Sequence, residues 1–181
     1  MTGIDRRTAL TTGLAATALL MTAPPSYAGT RALVGQPAPK FTLTTFAHQR
    51  VKLADLTGEV VVLNYWAVWC GPCKRELPDI DAYVRRRGAD APRVFAVTVD
   101  DTVTDSQLKP LAGVLSFPLV TRIDSFAYGP IDGAVPSNYV IDRAGIVRYA
   151  RAGAFSLAEL DQLITPLLAE PRPVATPPST T

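Results

Sequence analysis

Residues 60–78 read VVVLNYWAVWCGPCKRELP, and the fold of the chain turns on how they are parsed. Val60 to Trp66 is β-branched and apolar on both faces, the pattern of a central strand buried on both sides. Trp69-Cys70-Gly71-Pro72-Cys73 is a sharp turn, and from Pro72 the pattern becomes helical. Leu77, Ile80, Asp81 and Val84 fall at i, i+3, i+4 and i+7, with only Asp81 off the apolar count. Arg85-Arg86-Arg87 and Gly88 close the helix, the cations suiting its C-terminal end. Pro78 lies inside it and is expected to kink it, because it removes one hydrogen bond and crowds the preceding turn.

The whole chain has 181 residues, 48% hydrophobic and 19% charged, with a net charge of +2. That length allows one domain with a real core, with room for tails. The charge is too balanced to point to nucleic acid or a membrane surface as partner. Cys70 and Cys73 are the only cysteines. A core of this size needs no disulfide staple, so the pair reads as chemical rather than structural.

Working outward, the N-terminus reads as an export signal over residues 1–28. Arg6-Arg7 give a positive start, Leu10 to Met21 is a modest apolar stretch, and Ser26-Tyr27-Ala28 offers small residues for cleavage after Ala28. The adjacent arginines suggest the twin-arginine route, with an ordinary secretory signal or a retained membrane anchor as alternatives. No cysteine follows the apolar stretch, which excludes a lipoprotein. Residues 29–40 are a Gly/Pro/Ala-rich entry. Phe41-Thr42-Leu43 and Val51-Lys52-Leu53 alternate around a polar turn holding His48, a small β-hairpin signal, and Asp55 to Gly58 makes a further turn. His48 reads as a surface residue.

Beyond the helix, Arg93 to Asp100 is a strand, Thr104 to Leu115 a helix despite Pro110, and Phe117 to Val120 a short extended piece. Ser137 to Asp142 and Ile146 to Ala150 are strands joined by a hairpin turn, Arg143-Ala144-Gly145. Ser156 caps a last helix with Glu159 three residues on, and Leu157, Leu160, Leu163, Ile164 and Leu167 line its apolar face. Residues 170–181 (EPRPVATPPSTT) are Pro-rich and too polar to pack, so a disordered tail is expected. The order of strands and helices is that of one α/β domain, residues 34–169.

Two cysteines separated by two residues at a helix start can close and open a small disulfide. Cys70 lies just ahead of the helix and is expected to stay exposed, where unpaired N–H groups and the helix dipole favour its thiolate. Cys73, one turn deeper, would resolve the mixed disulfide formed by Cys70. Pro72 stiffens the turn, and its missing N–H costs nothing at the first helical position. Trp69 is expected to shield one side. A metal centre needs four ligands, and the chain offers two cysteines and one distant histidine. A static disulfide across so short a loop gains little unfolded-state entropy. Glu76, three residues after Cys73, reads either as a group that tunes the thiols or takes the resolving proton, or as a solvated carboxylate in the first turns of a helix. Lys74 and Arg75 read as a solvated face.

WCGPC after a strand resembles the thioredoxin superfamily. The longer stretches VGQPAPKFTLTTFAHQRVKLADLTGEVVVLNYWAVWCGPCKRELP, VDD, FPLV and GAVPSNYVIDRAGIVRYARAG are similar to the TlpA/ResA-like thiol–disulfide oxidoreductases, from about Val34 to Leu168. The resemblance implies a thioredoxin-like α/β fold: a central mixed sheet flanked by helices, with an N-terminal β-hairpin extension and an inserted strand–helix piece. It makes Cys70 the attacking and Cys73 the resolving thiol, and Glu76 the family's acidic residue after the motif. It aligns Pro136 with the family's cis-proline, which faces the cysteines and keeps metal off them, with the Val135 backbone free to pair with an extended substrate strand. Many thioredoxins carry a buried Asp six residues before the first Cys; here Asn64 stands there and cannot take a proton. Peroxiredoxins resemble the N-terminal part, but their reactive Cys needs T-x-x-C, whereas Trp66-Ala67-Val68-Trp69 precede Cys70.

The function expected is that of a periplasmic thiol–disulfide oxidoreductase. It reduces disulfides of selected exported proteins, of the cytochrome c or metal-site maturation type. It is recharged by a membrane thiol–disulfide donor and needs no cofactor, no metal and no nucleic acid. Catalysis falls to Cys70, Cys73 and Glu76; substrate contact to Trp69, Gly71, Pro72, Val135 and Pro136. A monomer is expected. Gly71-Pro72 resembles the dipeptide of reducing thioredoxins. An oxidase or isomerase using the same residues, or a non-enzymatic redox or metallochaperone module, are the alternatives.

Overall fold

The computed structural model describes residues 33–173. The expected export signal and most of the Pro-rich tail lie outside the described residues; of the tail, Arg172 is seen paired with Glu59 at 3.2 Å. The elements run β1 (Thr42–Thr45), β2 (Arg50–Lys52), a 3-10 turn (Leu53–Leu56), β3 (Val61–Trp66), α1 (Gly71–Arg87), a second 3-10 turn (Gly88–Asp90), β4 (Arg93–Thr98), α2 (Asp105–Val114), β5 (Leu119–Asp124), β6 (Ser137–Ile141), β7 (Val147–Ala152) and α3 (Leu157–Ala169). The seven strands form one mixed sheet in the order β2-β1-β5-β4-β3-β6-β7. β3, β4 and β5 are parallel, and the other pairings are antiparallel.

The layout is the expected thioredoxin-like one. β4-β3-β6-β7 with α1 and α3 make the core. The inserted piece is α2 with β5, helix before strand. The β1–β2 hairpin pairs with β5, so its strand ladder joins the core strands only through the insert. β5 begins two residues later than expected and runs on through Thr121 to Asp124. Those residues carry no apolar alternation; they are held as strand because β1 supplies a ladder, Thr42 opposite Asp124 and Thr44 opposite Arg122.

β3 is buried along its whole length, as its apolar run demands. Val62 and Trp66 face the helix side with Leu77, Ile80 and Tyr83 of α1, Leu108 of α2, and Leu160, Ile164 and Leu167 of α3. Each such aliphatic side chain, fully buried, contributes about 1.5–3 kcal/mol. Val61, Leu63 and Tyr65 face the other side, which is covered by Phe41, Leu43, Leu56, Tyr128 and Ile131 rather than by a helix. There Tyr139 packs edge-on against Tyr65 and Tyr128, with ring centroids 5.8 and 5.2 Å apart. The Tyr139 and Tyr128 hydroxyls donate to the Gly129 and Pro39 carbonyls at 2.7 and 3.1 Å. These bonds tie the entry segment and the loop before β6 to the sheet.

α1 runs unbroken through Pro78, and α2 and α3 carry Pro110 and Pro166 in the same way. All three prolines are exposed, as are Lys74, Ser106 and Gln162 four residues earlier, so water can satisfy the carbonyls left unpaired. Gly88 ends α1 at φ +57, donating its N–H to the Val84 carbonyl, which is the glycine signal read from sequence. Ser156 and Glu159 form the expected capping box at α3.

Candidate active site

The parallel strands send the chain out of β3 at one edge of the sheet, and Ala67 to Trp69 turn it into α1. Cys70 is the N-cap of that helix, and its Sγ accepts the Cys73 N–H at 3.1 Å. Pro72 sits in the first turn, where no N–H is needed. Cys70 and Cys73 are joined as a disulfide with Cα atoms 5.3 Å apart. Helix spacing alone brings two cysteines at i and i+3 within bonding reach.

Cys70 is only 3% exposed, which corrects the expectation that it stays open. The covering comes from the loop before β6, which ends in the cis peptide Val135–Pro136. The Val135 carbonyl oxygen lies 3.6 Å from Cys70 Sγ. In the disulfide that sulfur has no proton, so this is a contact; with a reduced Cys70 thiol it can become a hydrogen bond. Pro136 is buried and its carbonyl accepts the Gly153 N–H at 2.8 Å, which fixes the loop to the end of β7. Gly71 and Pro72 are exposed. Trp69, next to Cys70 in the chain, is 67% exposed. Lys74 and Arg75 are exposed, as read, and so is His48 in the β1–β2 turn.

Glu76 is 1% exposed, which rules out a solvated carboxylate. Its Oε1 accepts from Asn138 Nδ2 at 2.6 Å and from the Phe155 N–H at 2.7 Å. Its Oε2 accepts from Asn64 Nδ2 at 2.8 Å. Burial pushes the Glu76 carboxyl above the usual carboxylate range, and Asp79 adds to this; the Phe155 N–H, Asn138 and Asn64 act against it. The outcome is a buried carboxyl, one helical turn beyond Cys73, able to hold or release a proton nearer neutrality than an ordinary glutamate. Among the described residues no cluster of three or more His, Cys, Asp or Glu could hold a metal ion.

The AhpC/TSA family matches residues 34–150, well over half of the chain. The chain belongs to the AhpC/TSA family. Within reach of this AhpC/TSA chain is the thioredoxin-like protein YneN of Bacillus subtilis (strain 168), 29% identical over 131 residues, 71% of this chain and 76% of that protein. The thiol–disulfide oxidoreductase ResA of Geobacillus thermodenitrificans (strain NG80-2) is 30% identical over 136 residues, 74% of this chain and 77% of that protein. A crystal structure of a thioredoxin-family thiol:disulfide interchange protein from Chlorobium tepidum TLS superposes with a TM-score of 0.63 at 25% identity, covering 74% of this chain and 96% of that one. The chain is thus a ResA-like thiol–disulfide oxidoreductase of the thioredoxin superfamily.

Sequence reasoning named Asn64 only as a replacement for an acid. It missed Asn138 and the Phe155 N–H altogether. Asn138 stands directly opposite Asn64 in the β3–β6 ladder, so both point to the helix face and meet Glu76 coming down from α1. The available signal was a polar residue at an inward position of each of two otherwise buried strands, SNYVI and VVLNYW.

Proposed function

We propose that this oxidoreductase works outside the cytoplasm and reduces disulfides of selected exported proteins. The supporting observation is the Cys70–Cys73 disulfide at the N-terminus of α1, under the Val135–Pro136 loop and with the buried Glu76 one turn on. Reduction, rather than oxidation, is favoured by Gly71-Pro72 between the cysteines. Export rests on the Arg6-Arg7 and apolar signature of residues 1–28.

In the proposed reaction the Cys70 thiolate attacks one sulfur of the substrate disulfide, and the other substrate sulfur leaves and takes a proton from solvent. Cys73 then gives its proton to Glu76 and attacks Cys70 Sγ. The second substrate sulfur leaves as a thiolate, and the Cys70–Cys73 disulfide closes. Two electrons have passed to the substrate; a membrane thiol–disulfide donor returns them. The substrate chain lies extended along Val135, with the exposed Trp69, Gly71 and Pro72 forming the contact surface and the buried Pro136 holding Val135 in place. The partners are of the cytochrome c or metal-site maturation type, and the enzyme acts as a monomer.

The test is Cys73→Ser. The variant attacks but cannot resolve, so a covalent adduct with a disulfide-bonded protein should accumulate and fall apart in dithiothreitol. Substrate reduction at the wild-type rate with no adduct would show that Cys73 is not the resolving thiol.

A further inference from the structure

The hydrogen bonds around Glu76 all run one way. Asn138 Nδ2 and the Phe155 N–H donate to Oε1, and Asn64 Nδ2 donates to Oε2. A carboxylate offers about four lone-pair positions. Three are filled, and the fourth, on Oε2, is open. Nothing in the network is an acceptor turned toward the carboxyl group.

The two carboxamides lock each other in that sense. Asn64 Nδ2 also donates to Asn138 Oδ1 at 2.8 Å, and Asn138 Nδ2 also donates to the Gly153 carbonyl at 3.0 Å. Turning Asn64 over would set its Oδ1 against Asn138 Oδ1. Turning Asn138 over as well would set an oxygen against the Gly153 carbonyl and Glu76 Oε1. The arrangement is retained even though it leaves Asn64 Oδ1 buried with no partner among the described residues, a costly state for an amide oxygen. Two fully buried asparagines, cross-strand neighbours on β3 and β6, thus form a rigid clamp with only donors facing the acid.

We propose that Asn64 and Asn138 are positioning residues for Glu76: their clamp leaves Oε2 a single free position for the proton and sets the pH at which Glu76 can receive it. This rests on the proposed role of Glu76 as proton acceptor for Cys73. The titratable groups that interact with Glu76 are Asp79 on α1 and Tyr149 on β7; β3 and β6 offer it only carboxamides, and the α3 entry only the Phe155 N–H. None of these is a cation, so what opposes the burial cost is the Phe155 N–H together with the two donors of the clamp.

The sign follows. A donor to the charged form lowers the pKa, so removing one raises it. If Cys73 needs an ionised Glu76, the resolving step speeds up as pH rises through the Glu76 pKa, and loss of a donor moves that rise to higher pH. The experiment follows the Glu76 carboxyl by 13C NMR and, in parallel, the pH profile of glutathione release from the Cys70–glutathione mixed disulfide. The wild type, Asn64→Leu, Asn138→Ser, Glu76→Gln and the Asn64→Leu/Glu76→Gln double variant are compared, with urea unfolding to establish that each is folded. Asn64→Leu and Asn138→Ser should each raise the Glu76 midpoint by about one to two pH units and shift the release profile with it. Glu76→Gln should remove that limb of the profile, and adding Asn64→Leu to it should change nothing more. If Glu76→Gln removes the limb but neither asparagine substitution moves the midpoint, the clamp is overturned and the role of Glu76 stands. If Glu76→Gln leaves the limb in place, the role of Glu76 falls, and the clamp's part in catalysis with it.

Discussion

Cys70→Ser should abolish thiol–disulfide exchange, lowering turnover of a disulfide substrate by at least about a thousandfold. A serine hydroxyl stays protonated where a thiol ionises, and an alkoxide is not available to attack sulfur at neutral pH. The loss should come without loss of the fold. Cys70 contributes an N-cap acceptor for the Cys73 N–H, and a serine oxygen can make the same bond. The assay is reduction of oxidised glutathione, or of a disulfide-bonded protein, with dithiothreitol as electron source, alongside the far-UV circular dichroism spectrum. A native spectrum with exchange near background is the expected pair of results. Turnover retained in the serine variant would remove Cys70 from its place as nucleophile.

Trp66→Ala should cost about 3–5 kcal/mol of stability. That is a large part of the roughly 5–15 kcal/mol a domain of this kind possesses. Trp66 is fully buried at the end of β3, in the same apolar cluster as Leu77, Cys70 and Cys73, so its removal opens a void in the core that carries the redox pair. Its indole N–H is buried without a partner among the described residues. Phenylalanine at this position therefore sacrifices no hydrogen bond and relieves an unpaired donor, and Trp66→Phe should be much milder than Trp66→Ala. The midpoints of urea unfolding give both values. A loss below about 1 kcal/mol for the alanine variant would mean that the strand end is not packed as described.

What could be read from sequence was local or periodic. The buried run of β3, the β1–β2 alternation, Gly88 at the end of α1, and Ser156 with Glu159 at α3 each carry their signal within a few residues; Gly88 and the Ser156–Glu159 box stand where expected, and the strands lie about one or two residues from their expected bounds. What escaped was set by partners distant in the chain. Thr121 to Asp124 is strand only because β1, some eighty residues earlier, lies beside it. Asn138 reaches Glu76 only because the β3–β6 register places it opposite Asn64, and neither residue shows that register in its own neighbourhood. Cys70 is covered because the Val135–Pro136 loop comes down on it, sixty-five residues away. The face of the sheet away from the helices is similar: Tyr65, Tyr128 and Tyr139 form one buried cluster, but their spacing in sequence follows neither a helical nor a strand period.

The direction of electron flow is the central claim, since an oxidase or isomerase could use the same residues. The N-terminal position of the cysteines on α1 and the buried Glu76 are common to either direction, and Gly71-Pro72 alone favours reduction; the stability of the disulfide against the dithiol separates them. The decisive measurement is the reduction potential of the Cys70–Cys73 pair, by thiol-labelling gel shift after equilibration in defined dithiothreitol buffers. A reductant recharged at the membrane predicts a value near or below about −250 mV, close to thioredoxin. A value near about −120 mV, that of strong oxidants, would contradict the account and assign the protein to disulfide formation.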